Sequence, residues 1–512
     1  MEFTLSYWLI SMLPVIVLLL FISYWRISSQ ISAVISLVLA AALAYGVFQL
    51  EPAHMLLSAG KGAFLSLYVI LILLGGILIF KVVDKAGGFN SLEAYITELG
   101  GDSTVKLLGL SWALSGFIQG ITGFGMPVAI VGAMLTGIGY KPLIALTTVL
   151  IGHSWAISFG SMGSSFYALQ LVTGLPAVRL ATVMALLFFM PIFTTGLFTV
   201  HVYGGFPAIK RELKYIIPAT LIMGSMKVFA AVMGFPHIGS LLAGLCGSAF
   251  FLGVLLYRTN EGIDMPAKMM SLRAALFPYI LLILSVLTAQ LPPVDALLPD
   301  WEISLSFPGF TSGLGYEVAA EPEFSPIGIF SHPFTFLLVA TFIGIIFYLF
   351  KGELEKENVT SIFTEGIIQA RSSMITVFLL MILAQLMNDS GMIYMFAQGM
   401  AAFSGGFFPV LSPVIGILGA FLTGSNTSSN VLFGPFQVDT AVILNYSEYM
   451  IASTQSIGGS LGSAIAPAKI LMGTAIVGVG GKEGELIKKG LGYTLTSGLL
   501  AGFVVLLLAQ IL

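Results

Sequence analysis

Apolar runs of about twenty residues recur along the whole chain, separated by short polar segments. A helix needs ~20 mostly apolar residues to cross ~30 Å of hydrocarbon. The pattern therefore predicts membrane spans at 7–25, 31–50, 63–83, 177–202, 215–233, 236–257, 272–290, 332–351, 367–387 and 490–511. The first run has no small-residue cleavage site behind it and reads as a retained helix, not a signal peptide. Two further stretches, 107–175 and 408–480, are equally apolar but interrupted by Gly, Pro, Ser and Thr. They read as broken helices or re-entrant hairpins. The expected fold class is an all-α polytopic membrane protein.

Composition agrees with the pattern. Of 512 residues, 57% are hydrophobic and 9% charged, against about 25% charged in an ordinary soluble protein. So few charges cannot cover the surface of a soluble domain, whereas lipid favours an apolar exterior. The net charge of −3 gives no sign of a nucleic-acid partner, and the single cysteine, Cys246, excludes an internal disulfide. No Cys/His cluster has metal-ligand spacing, no cofactor is implied, and no Walker sequence supplies ATP.

The placement of Lys and Arg sets the orientation. Arg26, Lys81/Lys85, Lys210/Arg211/Lys214, Arg258/Lys268/Arg273, Lys351/Lys356 and Lys482/Lys488/Lys489 mark cytoplasmic loops. The longest polar loop, 291–331, holds Asp295, Asp300, Glu302, Glu317, Glu321 and Glu323 with no Lys or Arg, which places it outside. Both termini are then extracytoplasmic.

Similar passages occur in the same order in the two halves. Val83-Asp84-Lys85-Ala86-Gly87 resembles Met387-Asn388-Asp389-Ser390-Gly391, and Ile121-Thr122-Gly123-Phe124 resembles Leu422-Thr423-Gly424-Ser425. Ser158–Ser164 resembles Ser456–Ser463. The charge-derived directions of the matched spans are opposite. The reading is two inverted repeats, 1–205 and 271–512, joined by a linking helical hairpin at 206–270. Secondary transporters use this architecture and bind substrate where the repeats meet.

The interruptions are the candidate site. Gly120-Ile121-Thr122-Gly123-Phe124-Gly125-Met126-Pro127 cannot form a regular helix, because three glycines loosen it and Pro127 disfavours helix at Met126. A half-helix starting at Pro127 would aim free N–H groups into the break, where a carboxylate fits. The second break is Thr423-Gly424-Ser425-Asn426-Thr427-Ser428-Ser429-Asn430, in which every side chain except that of Gly424 can hydrogen-bond. Such groups need partners at membrane depth, and an anion, a cation or water would supply them. The candidate substrate contacts are Thr122, Gly123, Phe124, Gly125, His153, Ser161, Thr423–Asn430, Gln455, Ser456 and Lys469. His153, Ser425, Asn426 and Thr427 are candidates for coupling to a proton or, alternatively, to sodium. Structural readings stand beside these: small polar residues often serve helix contact, and a lysine at 469 can snorkel to an interface. Lys227, in an apolar helix of the linking hairpin, has no assigned role.

At these residues the chain resembles the bacterial lactate permease family, which includes glycolate permeases. The resemblance rests on Gly120–Ile130, Lys141-Pro142-Leu143, Phe159–Gly163, Phe421–Phe433 and the tail from Val477-Gly478 to Lys482-Glu483. It implies a secondary carrier of small monocarboxylates in a bacterial inner membrane, usually a proton symporter, and a homodimer is compatible with it. The chain departs from the family pattern at Asn426, where the family has Asp, at His153, where it has Asn, and at Ser463, where it has Lys. A channel is the first alternative, but would want a continuous pore lined by charge or carbonyls. An enzyme is the second, but no motif assigns a nucleophile and its base.

Overall fold

The computed structural model describes residues 1–98, 102–123, 125–259 and 269–511. Ten helical stretches among them are long and apolar enough to cross a membrane by length and composition. Large apolar side chains such as Leu9, Val38, Ile346, Phe350 and Leu507 face outward, while many Ser, Thr and Asn side chains are buried. This distribution is the reverse of a soluble domain's and suits a lipid exterior.

A hairpin of α1 (Leu5–Ser23) and α2 (Ser29–Gly46) leads into α3 (Pro52–Lys85) and α4 (Gly88–Glu98). Then α5 (Ser103–Leu108) passes through a π-helical turn, Gly109–Leu114, into α6 (Ser115–Ile121). Next come α7 (Met126–Gly137), α8 (Pro142–Gly152), α9 (Ser164–Thr173) and α10 (Ala177–Leu187). The expected spans 177–202 and 215–233 lie on either side of a non-helical kink at Gly205. α11 runs from Phe189 to Val232 and is bent at Gly205, whose φ of 66° and ψ of −162° suit a residue without Cβ. It pairs with α12 (Gly239–Thr259).

The second half repeats this order. Short α13 (Leu272–Ala275) precedes α14 (Phe277–Ala289), which pairs with α16 (Pro333–Lys351) as α1 does with α2. Between α14 and α16 lies the acidic loop, which is not irregular throughout. After α15 (Pro292–Asp295), β1 (Glu302–Phe307) pairs antiparallel with β4 (Glu321–Gly328), enclosing the small pair β2 (Phe310–Thr311) and β3 (Glu317–Val318). α17 (Lys356–Asp389) has the same 34 residues as α3. α18 (Met392–Ser404), unanticipated as a helix, takes the place of α4. Then follow α19 (Phe408–Thr423), α20 (Asn426–Ile443), α21 (Glu448–Ala464), α22 (Pro467–Ile476) and α23 (Glu483–Ile511).

Matching elements of the two halves touch each other. α3 and α17 pack antiparallel: a Cβ on Gly62 would meet the Met381–Ile382 backbone at 2.6 Å, and one on Gly366 would meet Leu78 at 2.9 Å. The hydroxyls of the matched Ser158 and Ser456 pair at 2.8 Å. Equivalent helices crossing in opposite directions are what an inverted repeat produces. The absence of side chains at Gly62 and Gly366 lets the backbones approach, as at close helix interfaces in membranes.

One expected similarity fails in detail. Ser456–Ser463 lies within the continuous helix α21, whereas its partner passage around Ser158 is broken. Gly458 and Gly462 serve packing here. A Cβ on either would run into the backbone of α19, at Pro413 and Ile417.

Candidate functional site

Three breaks in helical structure build the site. In the first, α6 ends at Ile121, and Gly123 (φ 64°) and Gly125 (φ 80°) take left-handed conformations before α7 starts at Met126, with Pro127 in its first turn. Phe124 lies outside the described residues. In the second, α8 ends at Gly152 and the chain turns through Ser161 (φ 48°), Met162 (φ 53°) and Gly163 (φ 77°) before α9. Left-handed backbone at two non-glycine residues costs of order 1–3 kcal/mol each, and the surrounding packing must hold it. In the third, α19 stops at Thr423, Gly424 has φ 77°, and Ser425 caps α20 by accepting the Ser428 N–H at 3.3 Å.

The second and third breaks enclose a polar cavity of about 210 Å³, well above the ~10–15 Å³ that one water needs. The first half contributes Gln119, Ile157, Ser161, Ser164 and Ser165 to its wall; the second contributes Thr423–Ser428, Ser463, Ala468 and Lys469. Ser29 on α2 and Ser372, Ser373 and Thr376 on α17 complete one side. Among the described residues the wall carries no carboxylate and one ammonium, that of Lys469, which donates to Ser463 Oγ at 2.7 Å. The N-terminal ends of α9, α20 and α22 also meet the wall, at Ser164, Asn426 and Ala468. Helix N-termini carry partial positive charge and unpaired N–H groups. The arrangement can therefore hold a small anion with hydroxyl donors around it.

Side chains on the wall and behind it join the two halves and brace the second half internally. Asn426 Nδ2 donates to Ser158 Oγ at 3.1 Å, and the Ser165 and Thr427 hydroxyls pair at 2.9 Å. Asn430 Nδ2 donates to the Ser165 carbonyl at 2.9 Å and to Ser456 Oγ at 3.0 Å. Gln455 Nε2 donates to Ser429 Oγ at 3.0 Å. Each such bond between helices in a membrane contributes about 0.6–2 kcal/mol, so the joint is firm without being permanent.

The expected residues thus divide between the wall, the joint behind it and positions off both. Ser161, Thr423, Gly424, Ser425, Asn426, Thr427, Ser428 and Lys469 are on the wall. Ser429, Asn430, Gln455 and Ser456 are fully buried in the joint behind it. Thr122, Gly123 and Gly125 are not on the wall. A Cβ on Gly123 would strike Ser161 Oγ and one on Gly125 the Met472 side chain, so this tip supports the wall from outside. His153 is buried off the wall, with Nδ1 2.6 Å from the Val149 carbonyl. Gln119, Ser164, Ser165, Ser372, Ser373 and Thr376 are wall residues that sequence reasoning missed. Gln119 had a signal, being a lone amide in an otherwise apolar run, and such residues face the bundle interior.

The sequence model of the L-lactate permease family matches residues 7–512. The chain belongs to that family. Relatives of this family member include an L-lactate permease of Streptococcus iniae, 28% identical over 88% of this chain and 94% of that one. The glycolate permease GlcA of Escherichia coli is 25% identical over 98% and 96% of the respective chains. Among solved structures, MtrF of Neisseria gonorrhoeae, described as illuminating a class of antimetabolite efflux pumps, aligns with a TM-score of 0.52 at 13% identity. The alignment covers 95% of this chain and 96% of that one. At that identity the likeness concerns the fold alone. Family membership and the ten apolar stretches make this an integral membrane protein of a permease family.

Proposed function

We propose that this protein is a secondary carrier of a small lactate- or glycolate-like monocarboxylate, working by alternating access with proton symport in a bacterial plasma membrane. The observation that carries the reading is the cavity between the two halves, whose wall combines Lys469, three helix N-termini and many hydroxyls with no carboxylate among the described residues. The relatives named for L-lactate and glycolate transport support the substrate class. The carboxylate binds against Lys469 and the start of α20, with Ser164 and Ser165 opposite. Neutral donors and one ammonium hold a single carboxylate and also let it leave, as a carrier requires. The repeats 1–205 and 271–512 move relative to each other across the Ser158–Asn426 joint, and the hairpin 206–270 links them.

Purified protein in proteoliposomes tests the reading. Labelled C2 to C4 carboxylates are offered under a proton gradient and, separately, under a sodium gradient. Accumulation of a 2-hydroxy acid on the proton gradient, with trans-stimulated counterflow, is expected. Uptake without counterflow would mean a channel, and accumulation on sodium alone would replace the coupling ion.

A further inference from the structure

A second polar cluster lies behind the broken segment, away from the cavity. Its four members come from four elements. His237 is in the turn between α11 and α12, Tyr167 is on α9, Tyr68 is on α3, and His332 is the residue before α16. Tyr167 Oη lies 3.3 Å from His237 Nδ1. The Tyr167 and Tyr68 rings are 5.0 Å apart, and Tyr68 meets the His332 ring edge-on at 4.1 Å. His237 and His332 are each 4% exposed and Tyr167 7%. Nε2 of both histidines is buried without a hydrogen-bond partner among the described residues. A buried polar atom left unpaired costs about 1–3 kcal/mol, and orphaned groups in a native interior call for a reason.

The two histidines are not equivalent. His332 Nδ1 accepts the Phe334 N–H at 3.1 Å and so caps α16. Protonating that nitrogen would remove the cap and place a positive charge at a helix N-terminus, which is unfavourable. His237 Nδ1 faces a tyrosine hydroxyl instead, which can donate to the neutral ring or accept from the protonated one by rotating. His237 can therefore gain and lose a proton without losing its hydrogen bond. The titratable groups facing it are Tyr167 on α9, Tyr68 on α3 and His332 at the head of α16. Lys227 on α11 directs its ammonium elsewhere, to the Trp155 carbonyl at 2.7 Å.

The position of His237 connects it to the cavity. A Cβ on Gly163 would lie 2.9 Å from His237 Cα. Gly163 separates Ser161 from Ser164, both on the cavity wall. The same hairpin grips this segment twice more, through Lys227 on Trp155 and through Ser240 Oγ, which donates to the Ala156 carbonyl at 2.7 Å. A charge appearing on His237 therefore acts on the piece of backbone that presents Ser161 and Ser164.

We propose that His237, with Tyr167 as its hydrogen-bond partner, binds the coupling proton. The proton adds to the Nδ1 lone pair, and the Tyr167 hydroxyl turns from donor to acceptor. An N–H bond forms as an O–H bond of the donating hydronium ion breaks and leaves water; no bond to carbon changes. Charging the site biases the Ser161–Ser165 segment and, through the Ser165–Thr427 bond, the other half. This inference rests on the proton-symport reading.

The test uses the full-length protein in proteoliposomes with labelled L-lactate. Counterflow without an ion gradient is measured beside accumulation under an imposed proton gradient. His237→Gln and Tyr167→Phe are expected to keep counterflow and to lose or slow accumulation, with Tyr167→Phe the milder. His201→Gln, altering a histidine on α11 that pairs with Tyr493 outside both the cavity wall and this cluster, is expected to keep both. Wild-type accumulation in His237→Gln, or in Tyr167→Phe should His237→Gln misfold, overturns the proposal. So does loss of accumulation in His201→Gln alone. A wild type that accumulates lactate on sodium and not on protons removes the symport reading itself, a separate outcome visible before any variant is made.

Discussion

At the scale of single residues, Lys469 and Asn426 face the same cavity with different chemistry. The Lys469 ammonium is the one positive side chain on the described wall, so it offers a charge-assisted bond of ~1.5–3 kcal/mol. Lys469→Met is expected to raise the substrate dissociation constant roughly 10- to 100-fold, read by equilibrium binding of labelled lactate to detergent-purified protein. Asn426→Ala and Thr427→Ala each remove one neutral bond across the joint. Each is expected to weaken binding by about fivefold, the equivalent of ~1 kcal/mol. Unchanged affinity in all three variants would place the substrate elsewhere. The polar run 423–430 was legible because hydroxyls and amides cannot face lipid unpaired. Which of them reach the cavity was not, since α20 turns Ser429 and Asn430 away toward α19, α21 and α9.

At the scale of elements, glycine does two different jobs that look identical in sequence. Gly424 has φ 77° and open space around it, so Gly424→Ala meets only the left-handed penalty of ~1–2 kcal/mol. Gly458 is helical and lies against the Pro413 carbonyl, so Gly458→Ala forces α19 and α21 apart, an overpacking cost of ~1–3 kcal/mol on top of lost contact. Gly458→Ala is expected to lower the melting temperature in detergent more than Gly424→Ala. The reverse order would assign the packing role wrongly. This explains why Ser456–Ser463, similar in sequence to the broken passage Ser158–Ser164, is a continuous helix. The strong apolar runs were placed well, as with 332–351 against Pro333–Lys351. Strand β1 was missed although Ile303, Leu305 and Phe307 alternate with polar residues, because an acidic loop had been read for its charge alone. The α3–α17 pair adds a further element-level expectation. Lys61 and Glu365 are each the tenth residue of their helix, and Lys85 and Asp389 each the last, so at these two matched positions α3 carries a base and α17 an acid. Lys85 and Lys81 meet Glu365 at 2.6 and 3.1 Å. Lys85→Glu is expected to lower stability modestly, by up to ~1 kcal/mol for a half-exposed pair, and Glu365→Lys in the same chain to recover it.

At the scale of the whole molecule, orientation was argued from charge, and the structure sharpens how to test it. The loop 291–331 folds back on α3. Lys61, almost fully buried, lies 3.5 Å from Glu321 and beneath the rings of Phe307 and Phe324, 5.8 and 5.5 Å away. The loop is therefore a docked cap, and reagent access differs along it. Ser312 is 4% exposed and accepts the Tyr316 N–H, so a cysteine there would be protected on either side of the membrane. Ser304 and Thr311 are exposed and suit the experiment. Cys246, partly exposed, has first to be replaced by serine to remove the background. With the loop outside, cysteines at 304 and 311 react with a membrane-impermeant thiol reagent in intact cells. One at Thr364, exposed on α17 one residue from the Glu365 ion pair, reacts only after the cells are opened. The opposite pattern would invert the molecule and place both termini inside. The Lys81–Lys85–Glu365 cluster would then face outward, against the tendency of basic residues to remain cytoplasmic. It would also reverse the direction from which His237 receives its proton, while leaving the geometry of the cavity unchanged.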